Sequence, residues 1–315
     1  MKKFLKLLIS FIVLTVIIFS VISCFYLNYK QQYLKDENFK LPKHINTLLA
    51  GDSHALCSFD DEKILLSKNI AFSGEHFMFT YVKLRKIISA NPSIRNVVLS
   101  IGTHNFSINE DDKLFNDATN NRLFARYFML LNDQEIMECQ SNSMNWRINY
   151  LKKNYGIPFQ LKLEMKLLLK AITNSQINFD DFPFIETISR NNISKVEKPE
   201  ITIQNHYYNN KKLSEPVVLN KKYLKLIAKY LNDSNKNLIL INTPVHFIYK
   251  QQIPKNMILE QIHTIYQLKQ EYKNVKYYDY SSLKLPTNYF KDNDHLNLAG
   301  AEKFSVMVNK LLVDK

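Results

Sequence analysis

The chain has 315 residues, 46% of them hydrophobic, enough for one large domain or a domain with an insertion. Its net charge of +13 rests on 36 lysines and only 6 arginines. Lysine lacks the flat fork that reads phosphates and base edges, and no nucleic-acid motif is present, so the charge does not point to a nucleic-acid partner. It describes either a solvated lysine-rich surface or one facing anionic lipid or an anionic surface polymer.

In chain order, Lys2, Lys3 and Lys6 precede a charge-free run of 23 residues from Leu7 to Tyr29. At 1.5 Å per residue that run can cross a bilayer core of about 30 Å. Lysines ahead of it favour a cytoplasmic N-terminus, with everything after Lys30 outside the cell membrane on a single pass. Val21-Ile22-Ser23-Cys24 loosely resembles a bacterial lipobox with Cys24 as the lipidated residue. The apolar run continues through Phe25, Tyr26 and Leu27, which favours an uncleaved anchor over residues 1–29. Residues 30–44 then read as a polar, charged stalk. Cys57 and Cys139 offer neither a disulfide framework nor a zinc spacing and read as buried thiols.

The stretch Ile45 to Ala50 reads as a short buried strand running into Gly51. Asn69–Phe72 is a second strand, Asn96–Ile101 a third, Asn237–Asn242 a fourth and Val275–Tyr280 a fifth. Helical patterns lie between them, over Glu75–Ala90 and Pro254–Tyr272, and Leu298–Leu312 closes the chain. Such alternation predicts a parallel sheet with helices on both faces in a domain over 45–315. About 130 residues separate the third and fourth strands, far more than a crossover needs, by the usual loop lengths. Residues 103–216 therefore read as a partly helical insertion that caps the site, with strong helical character from Ile148 to Ile172.

Five glycines are few for this length, and four fall in histidine-bearing segments. They are Gly51-Asp52-Ser53-His54, Gly74-Glu75-His76, Gly102-Thr103-His104-Asn105 and Asp292-Asn293-Asp294-His295, with Gly300 soon after. In parallel sheets ligands bind beyond the carboxyl ends of the strands, where these segments fall. A serine hydroxyl becomes a nucleophile when a base accepts its proton, and histidine suits that task near neutral pH. Asp292, three residues before His295, could hold that imidazole's tautomer. Ser53 at a strand-to-helix turn would sit where backbone N–H groups favour an oxyanion.

At these residues the chain resembles the SGNH (GDSL-like) hydrolase and acyltransferase superfamily. Gly51-Asp52-Ser53 matches the block that carries the nucleophile, Gly74 the block whose N–H joins the oxyanion hole, and Asp292-x-x-His295 the block close to the C-terminus. The resemblance implies a flavodoxin-like three-layer α/β sandwich on a five-stranded parallel sheet, with an N-terminal transmembrane helix and a helical insertion added here. It implies a Ser53–His295–Asp292 triad and an oxyanion hole from Ser53, Gly74 and a third-block side chain. There the family has asparagine where this chain has His104, with Asn105 one residue later. Either His104 donates through a ring N–H or Asn105 turns inward, and lost activity is the third outcome.

Other histidines carry alternatives. His54 and His76 either cap and pack at helix starts or contact substrate. His246, beyond the fourth strand, either contacts substrate or lies at the surface. Histidines at neighbouring strand ends with Asp52, Glu75 and Asp292 nearby could hold a metal, but no ligand signature is present, and no metal or cofactor is expected. The resulting expectation is a membrane-anchored, extracytoplasmic serine esterase or O-acyltransferase. Its substrate would be an acylated cell-surface glycan or a small acyl ester, acetyl above all, alongside surface-polymer biosynthesis proteins. The alternative is a non-catalytic scaffold or glycan-binding component of a surface-polymer assembly.

Overall fold

Three short aliphatic runs and two more polar edge strands pair in parallel as a single five-stranded sheet. In the computed structural model, residues 1–313 are described except 116, 140–144, 155–160, 174, 188–190 and 210–211. The strands are β1 (Thr47–Ala50), β2 (Ser67–Asn69), β3 (Asn96–Ser100), then β6 (Asn237–Asn242) and β7 (Val275–Asp279), in spatial order β2-β1-β3-β6-β7. Between β3 and β6 comes a small antiparallel pair, β4 (Tyr208–Asn209) and β5 (Lys212–Leu213). Register runs Leu49 to Val98, Val98 to Ile239 and Leu240 to Tyr277 across the sheet.

Successive side chains of a strand face opposite ways, and each face has its own core. Leu48, Ala50, Val97, Leu99, Leu238 and Leu240 join one apolar cluster, whereas Leu49, Val98, Ile239 and Ile241 join another. The first is covered chiefly by α3 (Phe77–Ala90) and α10 (Leu219–Asp233), the second by α2 (Ser53–Ser58) and α13 (Leu298–Val313). The helices α11 (Phe247–Gln251) and α12 (Lys255–Glu271) link β6 to β7. Asp52 caps α2 by accepting from the His54 N–H at 2.9 Å, and His76 Nδ1 caps α3 by accepting from the Met78 N–H at 3.1 Å. The second strand ends at Asn69, earlier than its apolar run suggested. Ile70, Ala71 and Phe72 are buried beyond it, so their hydrophobicity reflects burial in a connecting segment.

The first helix, α1 (Lys2–Tyr33), is long and apolar enough to cross a membrane. It does not end in a stalk. Tyr26, Tyr29 and Tyr33 on one side of its last turns are 3%, 2% and 1% exposed and belong to the main core. Tyr33 packs edge-on against Phe182, and Phe39 stacks on the same ring with centroids 4.4 Å apart. Residues 30–44 look polar because their aromatic residues are widely spaced, yet those residues carry the burial. The stalk expectation is corrected: Tyr33 and Phe39 of this segment pack into the domain core.

The long crossover holds α4 (Asn109–Phe115), α5 (Asp117–Tyr127), α6 (Asp133–Cys139), α7 (Asn145–Asn154), α8 (Leu161–Ile172) and α9 (Glu200–Tyr207) before α10. The helical pattern expected over 148–172 is thus two helices, α7 and α8, with residues 155–160 between them outside the description.

Candidate functional site

The chain bends sharply after β1. Gly51 has φ +129°, and a Cβ on it would stand 2.4 Å from Ser100 Oγ of the neighbouring strand. Only glycine lets β1 and β3 approach this closely at their carboxyl ends. Asp52 follows as the cap of α2, and Ser53 is the first helical residue.

Ser53 Oγ lies 2.8 Å from His295 Nε2. The other ring nitrogen of His295, Nδ1, lies 2.9 and 3.1 Å from the two carboxylate oxygens of Asp292. The Asp292 carboxylate also accepts the His295 main-chain N–H at 2.9 Å, so one side chain fixes both the loop and the ring. The three residues expected to act together are therefore bonded in series, from sequence positions 242 residues apart at their widest.

A second carboxylate, which sequence reading passed over, is more central. Asp294 is 4% exposed. Its Oδ1 is 3.4 Å from His295 Nδ1, and its Oδ2 is 3.3 Å from His54 Nε2 and 3.8 Å from His206 Nε2. Burial opposes the charge on Asp294, but His295, His54 and His206 outweigh it and hold the carboxyl well below its usual range. Burial likewise opposes the charge on His295, yet Asp294, then Asp292 and Asp52, raise its pKa to about 9. Burial and the neighbouring His104 instead push the His54 pKa down.

His206 comes from α9 in the insertion, and its Nδ1 pairs with the Tyr249 hydroxyl at 2.6 Å. Through His206 the insertion reaches the site. The aromatic cluster Tyr207-Tyr208 beside His206, in an otherwise polar stretch, was the only sequence signal for it.

The third block turns inward on Asp52. His104 Nε2 lies 2.7 Å from Asp52 Oδ2, and Asn105 Nδ2 donates to the same oxygen at 2.9 Å. Asn105 Oδ1 accepts the Gly102 N–H at 2.8 Å. The His104 ring stacks on His54 with centroids 4.3 Å apart. Burial would raise the Asp52 pKa, but His104, His54 and Asn105 hold it well below the usual carboxylate range. Both third-block side chains thus bond the capping carboxylate. The physical reason is that a buried, ionised Asp52 needs donors, and these are the nearest.

Gly74 has φ +69°, the left-handed region that favours glycine. Its turn is clamped by distant residues. Glu186 accepts from the Ser73 N–H at 2.7 Å, and Arg122 donates to the Ser73 carbonyl at 3.2 Å. Glu75 accepts from the Tyr127 hydroxyl at 2.6 Å and pairs with the buried Lys83 at 2.7 Å. Arg122, Tyr127 and Glu186 all belong to the insertion.

Two histidines leave the site. His76 is fully buried, with Nε2 3.1 Å from Asp111, which also accepts the N–H groups of Val218, Leu219 and Asn220 at the start of α10. It joins helices. His246 is 2% exposed rather than at the surface. Its main-chain N–H donates to the Asn293 carbonyl at 3.0 Å and its Nε2 pairs with Thr287 Oγ1 at 3.1 Å, so it braces the Asp292–His295 loop. His54, by contrast, lies inside the site, between the His104 and His295 rings.

Among the described residues, His54, Asp294 and His295 offer ligand atoms within 4.8 Å of one another, a set a transition-metal ion could use. Such an ion would compete with the bonds His295 makes to Ser53 and Asp292. His54 and His104 also wall a cavity of about 70 Å³, shared with Val245, Tyr249 and Gln261, whose lining does not include Ser53. No family model matches this chain, and no curated protein sequence matches it.

Proposed function

We propose that this chain is a membrane-anchored serine esterase or O-acyltransferase of the SGNH type, acting outside the cytoplasm on acyl groups of a cell-surface glycan. The observation that carries the reading is the bonded series Ser53 Oγ, His295 Nε2, Asp292 carboxylate. A serine at 2.8 Å from an imidazole whose far nitrogen is held by a carboxylate is the arrangement that nucleophilic acyl transfer needs. The strand order supports a flavodoxin-like doubly wound sandwich. Asp52–Ser53 after β1 and Gly102–Asn105 after β3 flank the point where the connections change direction, the usual ligand crevice of such sheets.

In this mechanism Ser53 Oγ attacks the acyl carbonyl carbon while its proton passes to His295 Nε2. The carbonyl oxygen becomes an oxyanion, which the Ser53 N–H at the start of α2 and the Gly74 N–H stabilise. Collapse expels the sugar or alcohol oxygen, which takes the proton from His295 and leaves Ser53 acylated. Water then hydrolyses the acyl-enzyme, or a sugar hydroxyl accepts the acyl group, with His295 again the base. Asp292 orients the ring throughout. Asp294, His54 and His206 set the field around it.

The second reading, a non-catalytic surface-polymer scaffold, is favoured by one observation: both third-block side chains are committed to Asp52. A serine-reactive fluorophosphonate probe and a chromogenic acetyl ester separate the two. We expect labelling and turnover that vanish in Ser53→Ala and His295→Ala and persist at a reduced level in Asp292→Asn. Removing nucleophile or base should cost nearly as much as removing the whole triad, because the parts act as one unit. Folded protein that neither labels nor turns over the ester would establish the scaffold reading instead.

A further inference from the structure

The proposed mechanism gives Asp294 no step of its own, yet its side chain is 5% exposed against 38% for Asp292. Among the described residues, its buried Oδ2 has no hydrogen-bond partner. That oxygen faces His54 Nε2 at 3.3 Å and His206 Nε2 at 3.8 Å, neither aligned as a donor to it. A buried anionic oxygen is costly unless a donor or a cation meets it.

His54 is held as a ligand would be. Its Nδ1 lies 3.4 Å from Thr243 Oγ1, so the ring N–H can be given to that hydroxyl. The Nε2 lone pair then faces Asp294 Oδ2, and a cation between the two would satisfy both. Metal-bound imidazoles are oriented in this manner, one nitrogen on the ion and the other N–H on a neighbouring oxygen. Tetrahedral zinc with bonds near 2.0 Å sets its ligand atoms about 3.3 Å apart, and the His54–Asp294 separation is 3.3 Å.

His295 supplies the third ligand. Ligand atoms of His54, Asp294 and His295 all lie within 4.8 Å of one another, so a ring movement of His295 completes the set. Two imidazoles and a carboxylate are a donor set that suits zinc. His54 and Asp294, 4% and 5% exposed, form the floor of the site, and His295, at 19%, forms its mouth. The ion binds unprotonated rings and so displaces protons from the cluster. His295 has two ring nitrogens, and the catalytic series uses both, one for Ser53 and one for Asp292. An ion that takes either nitrogen breaks the series.

We propose that His54, Asp294 and His295 form a zinc site whose occupation withdraws His295 from the catalytic series and silences Ser53 reversibly. The silencing rests on the catalytic reading, whereas the ion site rests on the geometry alone.

The test uses the full chain in detergent, stripped with a chelator that is then removed. Zinc binding is measured by calorimetry alongside the rate of fluorophosphonate labelling, and cobalt(II) in place of zinc gives ligand-field bands that report coordination. We expect one such ion per chain, with labelling that falls as the site fills and returns on chelation. His54→Gln and Asp294→Asn each remove a ligand, and two variants are used in case one folds poorly. Affinity should drop by at least the roughly 10–100-fold that losing a supporting partner costs at metal sites. Zinc sensitivity, taken relative to each variant's own zinc-free rate, should drop with it. Ser53→Ala, which cannot label, should bind zinc at least as tightly as wild type, because the serine no longer competes for His295. Binding of equal strength in wild type, His54→Gln and Asp294→Asn would place the ion elsewhere and overturn the proposal, as would the absence of binding. Zinc bound at these residues with labelling unchanged or faster would overturn the silencing. Stripped wild type that never labels would sink the catalytic reading and the silencing with it, and calorimetry on the three variants would still decide the site.

Discussion

At the scale of single residues, the charge balance around His295 decides when it can act. An imidazole with a pKa of about 9 is protonated at neutral pH and cannot take the proton of Ser53. Acylation of Ser53 should therefore rise with pH until His295 has lost its proton near that value. Asp294→Asn removes the strongest attraction that raises the pKa, so the profile should move to lower pH. Rates of fluorophosphonate labelling across pH measure this, and an unmoved profile would refute the role given to Asp294. The same shift has a stability consequence of opposite sense. Its contribution is complete below the ordinary histidine value and is lost as pH rises through about 9. His104 belongs to a different balance. His104→Ala would leave the buried Asp52 carboxylate with only the Asn105 side chain and the His54 N–H, a loss of about 1–3 kcal/mol for a buried acceptor deprived of a partner. Its thermal transition should fall clearly, whereas a free oxyanion donor would alter rate and leave stability unchanged.

At the scale of elements, the junction between α1 and the sheet domain is the least expected feature. Phe39 is fully buried, stacked on Phe182 and close to Tyr33 and Phe184. In a flexible stalk its truncation would be neutral. In this packing, Phe39→Ala should cost on the order of 3–5 kcal/mol, the range for emptying a core site of that size. Thermal unfolding of the detergent-solubilised full chain gives the answer, and an unchanged transition would restore the stalk. The insertion has a comparable influence on the candidate site. Arg122, Tyr127 and Glu186 hold the turn that carries Gly74, and α9 brings His206 onto Asp294. It therefore contributes to the shape of the site from two sides.

At the scale of the whole molecule, the proposed topology places the sheet domain outside the cytoplasm. Lysines at 2, 3 and 6 precede the apolar span, and such residues are retained on the cytoplasmic side. A reporter that works only outside the cytoplasm, fused after Lys315, should be active. A stable but silent fusion would reverse the orientation, and a surface glycan could then no longer be the substrate. Loss of membrane association in Cys24→Ala alone would point instead to lipid attachment at that residue.

Much of this was legible in one dimension because it depends on local periodicity. The three central strands, β1, β3 and β6, were legible as aliphatic runs separated by helical patterns, since their hydrophobicity reflects burial on both faces. The edge strands β2 and β7 are more polar. Ser53, His295 and Asp292 could be named because their two blocks resemble those of the SGNH superfamily, and a spacing of three is compatible with a carboxylate reaching the imidazole. Tertiary structure alone decided the rest. The burial of Tyr33 and Phe39, the capture of His104 and Asn105 by Asp52, the removal of His76 and His246 from the site, and the arrival of His206 all depend on which distant groups meet. A buried charge or polar ring pairs with whatever donor or acceptor the fold brings near it, and that partner leaves no mark on the spacing of its own segment.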